Sequence, residues 1–323
     1  MNSGRRRRGW ELRPQLGAAV RGRGRRRRPH KSVRRTKRAA DKIIEEGSAL
    51  KKFFLSLLMS ALMLSSAEAE PVEDRSYFPP VLIYHDVKAQ PVMEGFDVSI
   101  AEFRYQLDWL KSHGWRTLST EEFLSYLERG EPFPKKSVLI TFDDAYGGNI
   151  KYAAPELEAR GMSAVFFVIV DSIGKTLSRD YYHATAEQLK ELSTNPKFAL
   201  ESHTLSHPYL TKISSEELEA EIKNSKTRIE ELSGRSVRLF SYPYGDYNRT
   251  VIDGVIDAGY GAAFIVDVLD DGMFDRSARW SIPRLNMGLM IGDYGHRRFK
   301  KFMRHYGRMS DEEFAERWAR LPH

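Results

Sequence analysis

Two pairs of side chains in this sequence have the chemistry of a divalent metal site. Asp143 and Asp144 directly follow residues 138–140, a short apolar run with β-branched side chains that predicts a buried strand. His203 and His207 follow a second short apolar run and are four residues apart, so one helical turn or a compact loop directs both imidazoles to one point. One carboxylate and two imidazoles bind a divalent ion and leave coordination positions open. A cation there would also offset the repulsion between the adjacent carboxylates.

Each pair on its own has a simpler explanation. An Asp-Asp pair after a strand commonly forms a turn or caps a helix, and a His-x-x-x-His pair is more often structural than metal-binding. Here the two pairs occur together, and each follows a predicted strand. Their joint placement therefore favours a metal site over two unrelated structural features.

Alternating strand and helix patterns position these residues. They alternate seven or eight times, which predicts a parallel α/β fold, either a barrel or a doubly wound sheet. Residues 70–323 show no internal repeat and no linker, so we expect one domain there, with amphipathic C-terminal helices at 293–304 and 311–320. Such folds keep their catalytic residues at the carboxyl ends of strands. Several polar residues fall at or just after predicted strand ends, and this placement indicates an active site. These residues are His85, Asp143, Asp144, His203, Tyr244 and Arg284.

Three short motifs follow one another along the chain. They are Thr-Phe-Asp-Asp at 141–144, His-Thr-Leu-Ser-His-Pro at 203–208 and Tyr-Pro-Tyr-Gly at 242–245. They resemble the first three motifs of the polysaccharide deacetylases, carbohydrate esterase family 4, which have a NodB-homology domain. The similarity runs from roughly Pro79 to Met287. It implies a distorted (β/α)7-type barrel with parallel strands in a single domain, and a metal-dependent hydrolase that removes N-acetyl groups from polysaccharide containing N-acetylglucosamine.

Two further segments indicate a branch of that family. Tyr-His-Asp-Val at 84–87 and Pro-Arg at 283–284 most resemble the poly-β-1,6-N-acetylglucosamine deacetylases. Peptidoglycan and chitooligosaccharides are alternative N-acetylated glycan substrates. A glycan-binding barrel without catalytic activity is another alternative, which predicts the loss of the base or of a metal ligand, and neither is lost here.

The resemblance also implies roles for the matching residues. Asp144, His203 and His207 would hold one divalent metal ion, with zinc favoured and cobalt, nickel or iron as alternatives. Such an ion lowers the pKa of a water nucleophile and polarises the acetyl carbonyl. Asp143 would be the general base, and the backbone N–H of Tyr244 would stabilise the oxyanion.

The sequence departs from the family pattern in two places. The third motif normally carries an arginine three residues before its proline, but this position is Phe240. We predict that Arg284 replaces it by a bidentate contact with Asp143; an exposed arginine at a strand end is the alternative. The usual C-terminal motif, whose histidine acts as the general acid, is also missing. In the branch that the sequence resembles, the acid comes from the front of the chain, which implies His85 as the general acid, with His296 as the fallback.

Three aromatic residues are candidates for contact with sugar rings. Tyr242 and Tyr244 lie in the third motif, and Trp280 precedes the last predicted strand. Aromatic faces stack on apolar sugar surfaces, but each of these side chains could equally belong to the core.

The positive charge of the chain is confined to its first residues. The formal net charge is +7, yet residues 1–49 hold 17 Lys/Arg and 4 Asp/Glu, whereas residues 50–323 hold 34 and 40. The remainder is therefore mildly acidic, and we predict no nucleic-acid partner for it. The alternative is a nucleic-acid-binding arm formed by the arginine runs of residues 1–49. The chain contains no cysteine, which excludes disulfides and thiolate metal ligands.

Residues 50–69 have the pattern of a secretory signal peptide. Two lysines precede the apolar run 53–64, and an Ala-x-Ala cleavage site follows at 67–69. The pattern predicts a secreted or periplasmic protein that contacts the membrane only transiently during export. A signal peptide normally begins a chain, so we expect residues 1–49 to be either untranslated, with Leu50 at the true start, or a disordered basic extension.

Overall fold

The strands are short, and parallel pairing joins all of those in the main sheet. In the computed structural model, which describes residues 79–129, 133–266 and 279–308, they are β1 (Val81–Tyr84), β2 (Asp86–Lys88), β3 (Asp97–Ser99), β4 (Arg116–Thr117), β5 (Ser137–Phe142), β6 (Ala164–Val168), β7 (Phe198–Ser202), β8 (Leu239–Ser241), β9 (Ala262–Phe264) and β10 (Leu285–Asn286). The main sheet has the order β10-β1-β5-β6-β7-β8-β9, and β4 pairs with the start of β5. β2 and β3 form a separate parallel pair.

Helices connect most of these strands. They are α1 (Ile100–Ser112), α2 (Thr120–Arg129), α3 (Ala154–Arg160), α4 (Ala186–Leu192), α5 (Ser215–Ser233), α6 (Arg249–Asp257) and α7 (Gly292–Arg308). Capping boxes formed by Ser119 with Glu122 and by Ser214 with Glu217 begin α2 and α5. Gly161 and Gly234 end α3 and α5 with φ values of 66° and 68°, a left-handed conformation that favours glycine.

One segment near the end of the domain brings the two edges of the main sheet together. Ile282 pairs with Phe264 of β9, and Leu285 of β10 pairs with Leu82 of β1. The sheet therefore curls from β1 round to β9, as the predicted distorted (β/α) barrel requires. The sequence at 281–285 predicts a single strand. In the structure this segment instead makes two short pairings, one with each edge of the sheet.

Alternation along the strands separates two apolar layers. In β6, Val165 and Phe167 face the inside of the barrel, whereas Phe166 and Val168 face the surrounding helices. Apolar side chains of α2 join the inner layer and close the amino-terminal end of the barrel: Phe123, Leu124 and Leu127. The carboxyl ends of the strands are left for polar residues.

Several predicted boundaries differ from the structure. The sequence patterns at 164–170, 237–241 and 262–266 predict longer strands than β6, β8 and β9, which cover only part of each segment. The helix predicted after Asp144 begins with a π-helical turn, Asn149–Ala153, before α3. The helix predicted at 293–304 is α7, whereas the one predicted at 311–320 lies outside the described residues.

No helix within the described ranges is both long enough and apolar enough to cross a membrane. The signal peptide predicted at 50–69 and the basic residues 1–49 lie outside those ranges. Their assignment therefore remains a prediction from the sequence.

Candidate active site

Buried polar side chains from several strands meet at the carboxyl end of the barrel. Asp143 follows β5, His203 follows β7, Ser241 ends β8 and Arg284 precedes β10. Asp143, Ser241 and Arg284 continue the inward-facing register, because each lies two or four residues after an inner-layer residue: Leu139, Leu239 and Ile282, respectively. His203 lies three residues after Leu200 of the outer layer, which gives it the same inward direction. All four are at most 3% exposed, so the site is built into the top of the core.

Asp143 and Arg284 form a bidentate ion pair. The guanidinium Nη1 and Nη2 donate to the two carboxylate oxygens of Asp143, both at 2.7 Å. Ser241 joins the pair, because its hydroxyl donates to Asp143 Oδ2 at 3.1 Å and accepts from Arg284 Nη2 at 2.8 Å. Below the pair, the guanidinium lies over the ring of Phe167, 5.4 Å from its centroid. The Asp143 carboxylate is therefore fixed in orientation.

This pairing sets the protonation state of Asp143. Burial by itself would raise the pKa of the carboxyl, but the charged Arg284 guanidinium holds that pKa well below its usual range. Asp143 is therefore ionised at neutral pH in spite of its burial.

Asp144, His203 and His207 form a compact set of ligand atoms. One ligand atom from each lies within 4.8 Å of those of the other two. His203 Nδ1 is 2.7 Å from the carbonyl oxygen of Ser241, so the nitrogen that carries the proton is Nδ1 and Nε2 presents a lone pair. That Nε2 lies 3.1 Å from His207 Nε2 and 3.5 Å from Asp144 Oδ1. The donor set fits a divalent cation such as zinc.

The electrostatics of the set also suit a cation. Burial lowers the pKa of His203 to about 3 and lowers that of His207, so both imidazoles are neutral ligands. Burial and the adjacent Asp143 charge raise the pKa of Asp144 to about 7. A cation among these three residues would favour the Asp144 carboxylate and remove this penalty.

The loops that carry the site adopt strained backbone conformations. Positive φ values occur at several non-glycine residues here: Asp144 (65°), Ala145 (51°), Thr204 (69°), His207 (64°) and Tyr244 (59°). Among the described residues outside the site, only Lys136 does the same. Side chains other than glycine rarely adopt this region, and such residues cluster at functional sites.

His85 directly follows β1, which pairs with β5, the strand that Asp143 follows. Its ring stacks on Phe96 with centroids 4.3 Å apart, and the side chain of Asn149 holds its carbonyl at 2.7 Å. Within the described structure Nδ1 is buried without a hydrogen-bond partner. Burial lowers the pKa of His85 to about 4, although the Asp143 charge opposes this shift. The ring is therefore neutral at pH 7, not the imidazolium that a proton donor would need to start from.

The adjacent Asp86 does not orient the His85 ring. Its carboxylate lies 3.4 Å from Lys88 Nζ, which is also 3.4 Å from Asp97. Burial raises the pKa of Asp86 to about 7. This buried cluster joins β2 to β3 beside the cleft, and Tyr181 donates to Asp97 at 2.9 Å.

The aromatic candidates occupy three different environments. Tyr244 is 56% exposed, stacks on Tyr209 with centroids 4.1 Å apart, and lies 4.5 Å from the His207 ring. Tyr242, in contrast, is fully buried and packs on Tyr247, so the prediction that it contacts a sugar ring is wrong. Its side chain follows the outward register of β8 into the outer core layer.

Trp280 and the fallback histidine lie away from these side chains. Trp280 is half-buried, packs against the outer core layer and lies under the guanidinium of Arg279. His296 on α7 is 2.5 Å from Glu102 and stacks on Tyr105 of α1. The described contacts of these two residues do not include the metal-ligand set or Asp143.

Sequence reasoning missed Ser241, Asn149 and Tyr209. A serine within a strand and an asparagine after two glycines have no chemical signature of their own. Ser241 could have been found from its strand register, because it is two residues from the inward-facing Leu239. Tyr209 directly follows the His-Pro pair of the second motif.

Comparison with known proteins identifies the family. Residues 130–263 match the family model for polysaccharide deacetylases. The chain is 32% identical over 181 residues to the putative polysaccharide deacetylase YxkH of Bacillus subtilis, a match that covers 56% of this chain and 62% of that relative. It is 28% identical over 201 residues to the poly-β-1,6-N-acetyl-D-glucosamine N-deacetylase of Staphylococcus epidermidis, covering 60% of this chain and 68% of that one. The chain thus spans less than two thirds of the length of the first relative and slightly more than two thirds of the second.

Solved structures share the fold. The deacetylase PplD of Streptococcus pyogenes, in complex with acetate, superposes with a TM-score of 0.58 and 23% identity, covering 74% of this chain and 97% of that one. IcaB of Ammonifex degensii gives a TM-score of 0.58 and 20% identity, covering 72% and 98%. Residues 130–263 are therefore a polysaccharide deacetylase domain, and the solved structures share its fold.

Proposed function

We propose that this protein is an exported, metal-dependent hydrolase that removes N-acetyl groups from a polysaccharide containing N-acetylglucosamine. The observation that carries the proposal is the position of the buried Asp143–Arg284 pair directly beside the cluster of Asp144, His203 and His207. A base that stays ionised and a divalent metal site within one cleft are what hydrolysis of an amide by water requires.

Asp143 is the proposed general base. Both of its oxygens are held by Arg284, and Oδ2 also accepts from Ser241, so Oδ1 is the oxygen that keeps a further lone pair with which to accept a proton from water. Its low pKa makes it a weak base but ensures that it is unprotonated. The paired guanidinium also keeps the carboxylate aimed at one position, which lowers the entropic cost of the reaction.

Asp144, His203 and His207 are the proposed metal ligands. When bound, a divalent ion supplies Lewis acidity, which lowers the pKa of water and polarises the acetyl carbonyl. The hydrogen bond from His203 Nδ1 to the Ser241 carbonyl oxygen fixes the ring and its tautomer. Ser241 thus contacts both the base and a ligand, and it couples the positions of the two.

His85 is the proposed proton donor to the departing amine. Its pKa of about 4 means that the ring is neutral before the reaction starts. The proton that Asp143 removes from water must therefore reach His85, or the amine itself, during the reaction. The Asp143 charge favours a protonated His85, and this coupling supports the assignment.

Tyr244 has two proposed roles. Its backbone N–H lies in the tight turn Pro243–Gly245 and corresponds to the oxyanion donor of the family. Its exposed ring, stacked on Tyr209, forms a platform beside His207 on which a sugar ring can stack.

The substrate and export are the finer parts of the proposal. The name of the Staphylococcus epidermidis relative and the Tyr-His-Asp-Val and Pro-Arg segments support poly-β-1,6-N-acetylglucosamine. The signal-peptide pattern at 50–69 supports export, with a mature chain that begins at Glu70. N-terminal sequencing of the protein from its source cell tests this; a peptide containing residues 1–49 would contradict it.

Acetate release tests the catalytic proposal. Defined β-1,6- and β-1,4-linked N-acetylglucosamine oligomers and peptidoglycan are supplied to the purified protein, with and without a chelator. We expect release from the β-1,6 oligomer to be fastest, to stop with chelator and to return when zinc is added. Faster release from a β-1,4 substrate would keep the enzyme class and change the substrate, whereas release that ignores chelator would contradict the metal assignment.

A further inference from the structure

A group of basic side chains on α7 has no role in the function proposed above. Five residues, which we call the α7 cationic face, surround a depression of about 520 Å³ on the protein surface: Arg297, Lys300, Lys301, Arg304 and His305. Their spacing of three, four, seven and eight residues places them on one side of the helix. Arg297, Lys301, Arg304 and His305 are exposed, and Lys300 is half-buried.

The other side of α7 is already occupied by the core. Phe299 and Met303 are fully buried, and Tyr306 is 8% exposed. Phe299 meets Trp109 of α1 with ring centroids 5.1 Å apart. The helix therefore has no apolar side left to insert into a lipid bilayer, and the cationic face is what it offers to a ligand.

Within the described residues, the five side chains of the α7 cationic face have no carboxylate partner, unlike two lysines of α5. In α5, Lys223 and Lys226 pair with Glu219 and Glu230 at 2.6 and 2.8 Å, one helical turn away. No carboxylate in the described structure lies within 4.0 Å of the five side chains of the α7 cationic face. Within that structure, the ammonium group of Lys300 lies over the ring of Tyr105, 5.3 Å from its centroid.

The composition of the domain does not account for this face. Residues 79–291 hold 23 Lys/Arg and 31 Asp/Glu, so the rest of the domain is acidic. The 17 residues of α7 hold six Lys/Arg and one Asp. Basic residues in the last turn of a helix are favoured by its dipole, which explains Arg304 and His305. The same effect does not reach Arg297, Lys300 or Lys301, which lie further from the carboxyl end.

We propose that the α7 cationic face binds a linear polyanion that carries phosphate groups. The face extends over nine residues of helix, 297–305, or about 12 Å, a length that accommodates several successive phosphates. Arg297 and Arg304 offer paired donors that match phosphate oxygens, and the lysines add charge. The depression gives the ligand a concave seat, which favours a polymer chain over a flat membrane surface.

Binding of polyphosphate tests the proposal. Fluorescently labelled polyphosphate is titrated with the full chain at 50 and 200 mM salt, and anisotropy is measured. We expect saturable binding that weakens at higher salt, because phosphate contacts release counterions. The double variant Lys301→Glu/Arg304→Glu should weaken binding about tenfold or more at 50 mM salt and leave acetate release unchanged.

A matched control separates this face from net charge. Lys190→Glu/Lys197→Glu changes the net charge by the same amount on exposed side chains elsewhere, and it should leave polyphosphate affinity within about twofold. If the charge reversal on α7 unfolds the protein, Lys301→Gln/Arg304→Gln replaces it, with a smaller loss expected. No binding by the unaltered protein at 50 mM salt, or equal losses in the two double variants, would overturn the proposal. Binding to anionic phospholipid vesicles but not to polyphosphate would also overturn it.

Discussion

At the scale of single residues, the site depends on one arginine that is remote in sequence. Arg284 reaches Asp143 across 141 residues and leaves a buried charge balanced. Removing one partner of a buried ion pair costs about 3–5 kcal/mol, because the other charge remains buried without compensation. The loss of Arg284 should therefore change both the stability of the protein and the pKa of Asp143, and these two changes depend differently on pH.

Replacement of Arg284 by methionine should reverse the way in which the contribution of Asp143 to the free energy of unfolding depends on pH. In the unaltered protein the pKa of Asp143 is depressed, so its contribution to stability is present above the ordinary aspartate pKa and is lost as pH falls through the depressed value. In Arg284→Met burial raises that pKa, so stability should fall by about 3–5 kcal/mol at pH 7 and recover in part towards pH 4. Denaturant titrations at both pH values measure this. Ser241→Ala, which removes the two hydrogen bonds of the hydroxyl but keeps the ion pair, is the control and should cost about 1–3 kcal/mol.

Asp143→Asn should keep the metal and lose turnover. The amide preserves the shape of the side chain but cannot take a proton, and loss of a general base costs about 10²–10⁴-fold in rate. Metal content after dialysis should equal that of the unaltered protein. Near-normal acetate release by the variant would assign the base elsewhere.

Asp144→Ala and His203→Ala should each lose metal and activity together. Three protein ligands leave no replacement when one is removed. Elemental analysis after dialysis measures the metal directly. His113→Ala removes a histidine that stacks on Trp109 of α1, so it controls for histidine loss in general. Full metal occupancy in either ligand variant would contradict the ligand assignment.

His85→Ala should distinguish proton donation from substrate binding. An amine leaving group needs a proton, whereas the alkoxide or phenolate of an activated acetate ester does not. We therefore expect the variant to keep its metal, to lose at least about a hundredfold on the amide and to lose much less on the ester. Equal losses on both substrates would indicate a binding or structural role for His85.

At the scale of elements, much of the fold follows from periodicity. Apolar runs and capping boxes identify the strands of the main sheet and the starts of α2 and α5, because burial and unsatisfied helix N–H groups leave a local pattern. β2 and β3 are three residues each and have no such pattern. The metal-ligand residues could be selected from their types and spacing. The position of Ser241 and the burial of Tyr242 could not, because both depend on which face of β8 meets the barrel interior.

The turn after β5 depends on a glycine. A Cβ added to Gly148 would lie 2.1 Å from Asp86 Oδ1 and 2.4 Å from the Val87 carbonyl oxygen. Gly148→Ala should therefore push β2 away and destabilise the protein by about 1–3 kcal/mol, as overpacking does. At Gly147 the three atoms nearest to the added Cβ all belong to the ring of Tyr182, which is 39% exposed and can rotate. Gly147→Ala should thus cost less in a denaturant titration, and equal costs would contradict this account.

At the scale of the whole molecule, the acidic barrel has two functional regions with different chemistry. The cleft at the carboxyl ends of the strands concentrates carboxylates and neutral imidazoles around the proposed metal site. The α7 cationic face belongs to a helix that runs down the side of the barrel. Because these regions do not share side chains, variants of one should leave the function of the other intact.

The closing segment has a consequence for the order of events during synthesis. β1 and β5 leave the ribosome long before residues 282–286, which join both edges of the sheet. Until Arg284 arrives, the barrel is open and Asp143 has no guanidinium beside it, so a nascent chain that buried this carboxylate early would be penalised. Contacts of such wide sequence separation slow folding. Closure of the sheet and the pairing of Asp143 must therefore wait until residues 282–286 have been made.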